Sequence, residues 1–488
     1  MTILRYILVG LEVVLLFNLL IGVHELGHFL AAKWRGLKVE RFAIWFGKPI
    51  WKKNIGGVEY ALGWIPAGGY VSLPQMASME AIEGKVDAEK PAEPLPPVSP
   101  LDKIIVAFAG PLFSFMLACV FAVVVWQVGK PSVESDNSTT VGWIDPTGPA
   151  AKAGLLPGDE IISVDDHPVH HFAATSADSV TWRIVTSTGP NIAIRYLRDG
   201  KEATVFAVPY HAPTKWYERR ALRKILITSA AKADIALIAT NSPAALAGLK
   251  PGDEIIALNG VKIYSPFAID SAQEAMSNSV ITPLTLTVRR GNEQFDKTLL
   301  PVKPLQPKDS FPLLGITAWQ GDTNTTLLYP SPAEQLEQSA GQIFNTFGAL
   351  FSKSEIGVQQ LGGAVMIIRV YSNLFQDEDG WRRVLWFSVI LNVNLALLNL
   401  LPLPVLDGGH ITLSLIEWIR RRPVHAKILE KIQTGFAALL ITFMIYIAFF
   451  DTGDWLRSAH ADREVPIVFS PQAINVDPGQ ARLPDATK

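Results

Sequence analysis

Residues 21–31 read IGVHELGHFLA, inside a run from Ile3 to Trp34 that is almost wholly apolar. A stretch of that length and composition can cross a bilayer as one helix. Ionisable groups in such a run are costly and usually functional. On a helix His24 and His28 stand four apart and share a face, so both imidazoles can reach one zinc ion. Glu25 lies one residue round, placed to polarise a water at the metal rather than to ligate. The same pattern recurs by chance in soluble helices, where paired histidines are inert. The apolar setting separates this copy from that background, since three unpaired polar side chains are poorly tolerated in lipid.

The chain has 488 residues and a positive mean hydropathy, which points to several domains, some of them in lipid. Net charge is −2 with no long basic block, so no nucleic-acid partner is expected. The single cysteine, Cys119, allows no intramolecular disulfide and excludes a cysteine-rich secreted scaffold. The first apolar run is too long for a signal-peptide core and carries the histidine pair, so it reads as a retained span.

Four spans are expected. The first occupies 1–34 and the second 104–128, with Gly110-Pro111 inside it. The third starts at Val384 and continues to about Leu401, its segment reaching 410. The fourth, about Ile432 to Phe450, closes the segment 411–450. Lys33, Arg35, Lys38, Arg41, Lys48, Lys52 and Lys53 follow span one, and Arg420, Arg421, Arg422, Lys427 and Lys431 lie between spans three and four. The excess of basic residues puts both loops in the cytoplasm, and both termini and the block 131–382 on the far side. Arg382 and Arg383 point weakly the other way.

The far-side block holds an internal repeat: GPAAKAGLLPGDEIISV at 148–164 returns as SPAALAGLKPGDEIIAL, 94 residues later. Two copies of one module follow, expected over 138–222 and 223–306. Each copy ends in hairpin signals, IAIRYLRDGKEATVFAV and LTLTVRRGNEQFDKTLLPV. The ALAGLKPGDEIIALNG pattern resembles PDZ domains. That resemblance implies a groove able to add a peptide as an extra strand, or a purely structural β-module with the groove occluded.

Between spans one and two, Val39–Leu73 alternates aromatic and small residues and is punctuated by glycines, which reads as membrane-associated β-hairpins over 35–80. An exposed edge strand beside the metal would suit pairing with an unfolded substrate backbone. Residues 81–103 read as a Glu/Pro-rich cytoplasmic linker, and 458–488 as a loose tail. Within 325–380, apolar residues at helical spacing predict an amphipathic helix over 332–352. It lies on the outer membrane face or packs on the second module.

Span three runs into Asn392-Val393-Asn394, then Asn399, Pro402, Pro404 and Asp407-Gly408-Gly409-His410. Two prolines cannot continue a regular helix, so the backbone must open there. Such backbone is tolerable in a membrane only where protein or a cavity surrounds it. Asp407 suits two roles: N-cap of the next helix, or the third ligand that zinc needs while one position stays open for water. His410 is a rival ligand that suits a supporting or capping role better.

HELGH in the first span, NLLPLPVLDGGH in the third and paired PDZ-like modules between them resemble the site-2 protease family, in its bacterial regulator of sigma-E protease type. The similarity covers about residues 1–455. It implies an intramembrane zinc endopeptidase with one Zn2+ per chain, held by His24, His28 and Asp407, with Glu25 as base. It also implies that Asn399, Asn394, Pro402 and Pro404 hold the substrate, while the strand ending in Gly68, Gly69 and Tyr70 presents it. Ser114 stands where many relatives have Asn, and Gly362-Gly363 where Gly-Pro is common; both departures read as matters of helix packing. The fold implied is a multi-pass α-helical membrane protein of four transmembrane helices, with a membrane-associated β-hairpin region and two extracytoplasmic PDZ-like α/β modules.

The resemblance further implies a bacterial inner membrane location, with termini and PDZ-like modules periplasmic. Partners are then the lipid bilayer, single-span membrane substrates, and peptide C-termini at the modules. The substrates implied are anti-sigma factors already cut once outside, and remnant signal peptides. Taking span one as helical, His28 lies about 8 Å from Lys33 along the axis, which puts the site near the cytoplasmic face. A non-catalytic PDZ scaffold is the alternative, against which Glu25 and the Asp407 motif both stand intact. A membrane-anchored protease acting on soluble peptides would carry its histidines outside the span. His167, His170 and His171 lack a carboxylate or thiolate frame and read as a solvated loop.

Overall fold

The computed structural model describes residues 3–76, 96, 98–133, 137–172, 176–320, 325–376, 379–422, 424, 426–461 and 466–470. The chain forms two compact units. One comprises Met1–Pro131, Thr214–Arg220 and Leu327–Ser458; the other comprises Ser132–Pro213, Ala221–Thr326 and Ala459–Lys488.

The first unit is built on α1 (Ile3–Trp34), a sheet of β1 (Arg41–Phe46), β2 (Trp51–Ile55), β3 (Val58–Leu62) and β4 (Ile65–Ser72), and α2 (Pro100–Val128). It continues with α3 (Pro332–Phe351), α4 (Ala364–Leu374), α5 (Gly380–Asn399), α6 (Asp407–Arg420) and α7 (Ala426–Ala461). Among the described residues four helices are long and apolar enough to cross a membrane: α1, α2, α5 and α7. Leu11 and Leu15 on α1, Val120 on α2 and Ile445 on α7 face outward, which suits lipid as solvent. Ser99 caps α2 by accepting from the Asp102 N–H, with Pro100 in the first turn. The helix therefore begins before 104 and takes the last residues assigned to the linker; residues 77–95 and 97 of that linker lie outside the described residues.

The region after α1 is not a row of hairpins. Its sheet runs β2-β3-β1-β4, with β1 parallel to β3 and antiparallel to β4. Only β2 and β3 form a tight hairpin, through Gly56-Gly57. Glycines mark where the chain turns but not which strands the turns join. Here Phe42 of β1 packs edge-on to Phe29 of α1, and burying that apolar face draws β1 to the middle. β4 is left as an outer strand against α1.

The helix expected over 332–352 is α3, begun by a Ser331–Glu334 capping box. Its Leu336 and Ala340 pack into a cluster with Ala118, Ala122, Val389 and Val393 of α2 and α5. The packing of its apolar face thus involves α2 and α5, while Phe344 and Phe351 stay exposed.

The second unit holds the repeat as two copies of one α/β module. The first has the sheet order 201–207, 192–198, 160–164, 167–168; the second has the equivalent order 293–299, 284–290, 254–258, 261–262. Asp159 pairs with Arg198, and Asp253 with Arg290, in matching bidentate geometry. Burial alone would raise the Asp253 carboxyl, but Arg290 holds it below the usual carboxylate range. Both copies extend past their expected ends. Strand 141–144 pairs with 227–229, and strand 235–238 with 316–319. Each opening strand needs a partner for its backbone, and the chain after each hairpin supplies one. The tail is not loose throughout: Val468 bridges Gln306 and Phe469 is buried. Residues 471–488 lie outside the described residues.

Candidate metal centre

Three side chains from two elements meet inside the helical unit. His24 Nε2 lies 3.3 Å from His28 Nε2 and 3.3 Å from Asp407 Oδ2, and His28 Nε2 lies 3.4 Å from Asp407 Oδ1. All three residues are buried. A tetrahedral zinc with bonds of about 2.0–2.1 Å has ligand–ligand edges of about 3.3–3.4 Å. The two nitrogens and the carboxylate thus fit zinc in spacing and in donor chemistry, each imidazole facing a different oxygen of Asp407. Asp407 Oδ2, although buried, has no hydrogen-bond partner of its own, as suits an oxygen kept for a cation. Among the described residues this is the one cluster of three or more metal-capable side chains. His170 and His171 instead share Asp178 in an exposed loop.

The chain builds this triangle locally. The i, i+4 spacing on α1 brings the two imidazoles together edge-on, with ring centroids 5.0 Å apart. After α5 stops at Asn399, Pro402 and Pro404 fall in the turn that delivers α6. A Cβ on Gly408 would stand 2.3 Å from the Leu400 carbonyl oxygen, so the turn closes only with glycine there. Asp407 is the first residue of α6, Leu406 holds the cap position, and no side-chain cap bond forms. The capping role is therefore excluded; the carboxylate faces the histidines instead.

α2 orients the imidazoles. His28 Nδ1 donates to the Val106 carbonyl at 2.8 Å, and His24 Nδ1 lies 2.9 Å from Ser114 Oγ. The carbonyl can only accept, so it fixes the proton of His28 on Nδ1 and leaves Nε2 its lone pair. A Cβ at Gly110 would stand 2.1 Å from His28 Nε2, so only glycine lets α2 approach. Ser114 was not legible as a site residue and its departure from the family pattern is not one of packing alone: it touches His24. The available signal was spacing, because Val106, Gly110 and Ser114 recur every four residues on one face of α2.

The expected substrate residues divide. Asn399 Nδ2 lies 3.4 Å from His24 Nε2. Gly69 is close to Glu25: a Cβ there would stand 3.2 Å from Glu25 Cγ. Tyr70 is buried and accepts from Arg41 through its hydroxyl. Gly68 lies beneath the Phe46 ring with φ at +75°. Asn394, about 140° round α5 from Asn399, lines an apolar cavity with Phe347, Leu440 and Met444. It is not brought to the histidines.

A buried His/His/Asp triangle with a carboxylate one residue along defines a metal-dependent hydrolase set among apolar helices. The chain belongs to peptidase family M50, which it matches over residues 12–443. It is 28% identical to the regulator of sigma E protease of Haemophilus influenzae, over 90% of this chain and 96% of that one. It is 26% identical to protease RseP of Yersinia pestis, over 89% and 96%. A Vibrio cholerae protein described as a zinc metalloprotease is 27% identical, over 90% and 97%. The protein is a zinc metalloprotease, and the non-catalytic scaffold is set aside.

Proposed function

We propose that the protein is an intramembrane endopeptidase, in which His24, His28 and Asp407 hold one zinc ion and Glu25 is the general base. The reading rests above all on the three ligand atoms at zinc-like spacing, between helices apolar enough to span a bilayer. A zinc ion held by His24, His28 and Asp407 would supply Lewis acidity toward a water and a peptide carbonyl. Glu25 takes a proton of a water as the water oxygen bonds to the peptide carbonyl carbon, and gives that proton to the leaving amide nitrogen as the C–N bond breaks. Ser114 and the Val106 carbonyl hold the imidazoles in place, and the Asn399 amide steadies the substrate.

A helical substrate must unwind first, because its carbonyls are already hydrogen-bonded. β4 offers backbone groups along its outer side beside Glu25, so an unwound segment can pair there as an added strand, offsetting part of that cost. The substrates fitting this path are membrane spans of single-span proteins. By analogy with relatives named for sigma E regulation, they include an anti-sigma factor after a first external cut, and remnant signal peptides. The excess of basic residues in the two loops supports a site near the cytoplasmic face of a bacterial inner membrane. The two repeat copies then lie in the periplasm as PDZ-like filters that exclude bulky substrates or select a new C-terminus.

Asp407→Asn tests the assignment. Zinc affinity, read by competition with a chelator, should fall, with cleavage of a tagged single-span substrate lost at limiting zinc. Unchanged affinity would remove Asp407 from the ligand set.

A further inference from the structure

The loop Thr214–Arg220 belongs by packing to the helical unit, although the chain on either side of it belongs to the other. Its anchor is Arg219. The guanidinium pairs with Asp451, whose side chain is fully buried, and with Asp454 at 2.6 Å, and it donates to the Leu361 carbonyl at 3.1 Å. Asp451 in turn accepts from the Gly363 and Met366 N–H groups at the start of α4. Gln360 adds a bond to the Arg220 carbonyl. Four residues on, Arg223 is buried in the other unit on the Ser187 and Gly189 carbonyls.

Asp451 follows directly on the apolar run of α7 that ends at Phe450. Arg219 is thereby fixed at the end of that apolar run. Three residues from it, and so within about 11 Å, Trp216 is 87% exposed, the highest value of any large apolar side chain among the described residues. Tyr217 lies edge-on beside it, with Lys215 over the Tyr217 ring. On α7 itself Trp455, about one turn beyond Asp451, is half exposed. Trp and Tyr with flanking cations, at the end of a span, are the side chains that settle among lipid headgroups.

We propose that Thr214–Arg220 is a membrane-surface strap: Trp216 and Tyr217 enter the headgroup layer of the bilayer, and Arg219 clamps the loop to the outer end of α7. The partner is the lipid surface, with phosphate groups facing Lys215 and Arg220. The strap ties the first repeat copy to the membrane through its own chain. It rests on the reading of α7 as a membrane span.

The test uses the full chain with Cys119→Ala, in phosphatidylethanolamine and phosphatidylglycerol vesicles, with one nitroxide at a time. Trp216→Cys reports the strap, Met444→Cys the middle of α7, and Val280→Cys an exposed site of the second copy. Accessibility to oxygen against a water-soluble nickel complex measures depth. Position 216 should fall between 444 and 280, and Arg219→Gln should shift it to the value at 280, while Arg219→Lys keeps it near the original. A label at 216 as aqueous as 280, with 444 in lipid, overturns the strap and leaves the span standing. If 444 is aqueous too, the span itself fails and the strap with it. An unchanged depth in Arg219→Gln overturns the clamp.

Discussion

Ser114 Oγ lies 2.9 Å from His24 Nδ1, across the interface of α1 and α2 and on the side of the ring away from Asp407. Outer groups that orient a ligating imidazole commonly contribute a factor of about 10 to 100 in metal affinity. Ser114→Ala is therefore predicted to weaken zinc binding by about that factor, with Ser114→Thr much closer to wild type. A chelator competition titration on the purified protein reads the difference. Equal affinities would make Ser114 a packing residue.

Gly110→Ala puts a methyl group 2.1 Å from His28 Nε2. Because backbone fixes the methyl, the imidazole must move. The predicted outcome is a chain that inserts and keeps its helical content but loses most of its zinc, seen by metal analysis alongside circular dichroism. Full zinc content would mean that α2 can back away.

Gly69→Val separates binding of metal from catalysis. The new side chain meets Glu25 and Ile21 of α1, with its Cβ 3.2 Å from Glu25 Cγ. Displacing a reacting group by about 1 Å can cost about 100-fold in rate. Cleavage should fall by that order while zinc stays bound. Loss of zinc together with activity would point to general damage of α1 instead.

Asp270 makes the second repeat copy sensitive to pH. Burial pushes its carboxyl from 3.8 up to about 6, against a hydrogen bond from the Trp319 side chain that pulls it down. Between those values the folded state holds a proton that the unfolded chain has released. Stability is thus present in acid and lost as pH rises through 6, by up to about 3 kcal/mol. Asp270→Asn should raise the unfolding midpoint of this copy at pH 7.5 and change it little at pH 4. An equal gain at both would assign the effect to packing.

The two histidines and the four apolar helices were legible because each rests on a local rule: spacing of four on a helix, and length without charge. The repeat was legible as well, since its Pro-Gly-Asp turn and the apolar run after it return 94 residues later. Asp407 was ambiguous in sequence because a cap and a ligand ask for the same residue before a helix; only the approach of α1 decides. The strand order β2-β3-β1-β4 was out of reach, since it depends on which face of β1 α1 covers. The closing strands 227–229 and 316–319 were missed for the same reason. They are too short to show alternation, and they exist to satisfy a partner far along the chain. Asn394 and Asn399 look equivalent in sequence, but five residues on a helix turn them to different sides.

The most direct test pairs zinc content with cleavage of a tagged single-span substrate, wild type against Glu25→Gln. Replacing the Glu25 carboxylate without touching His24, His28 or Asp407 should leave about one zinc per chain in both proteins, with cutting only in the wild type. Cleavage at the wild-type rate by Glu25→Gln would contradict the account, because the proton would then move without Glu25.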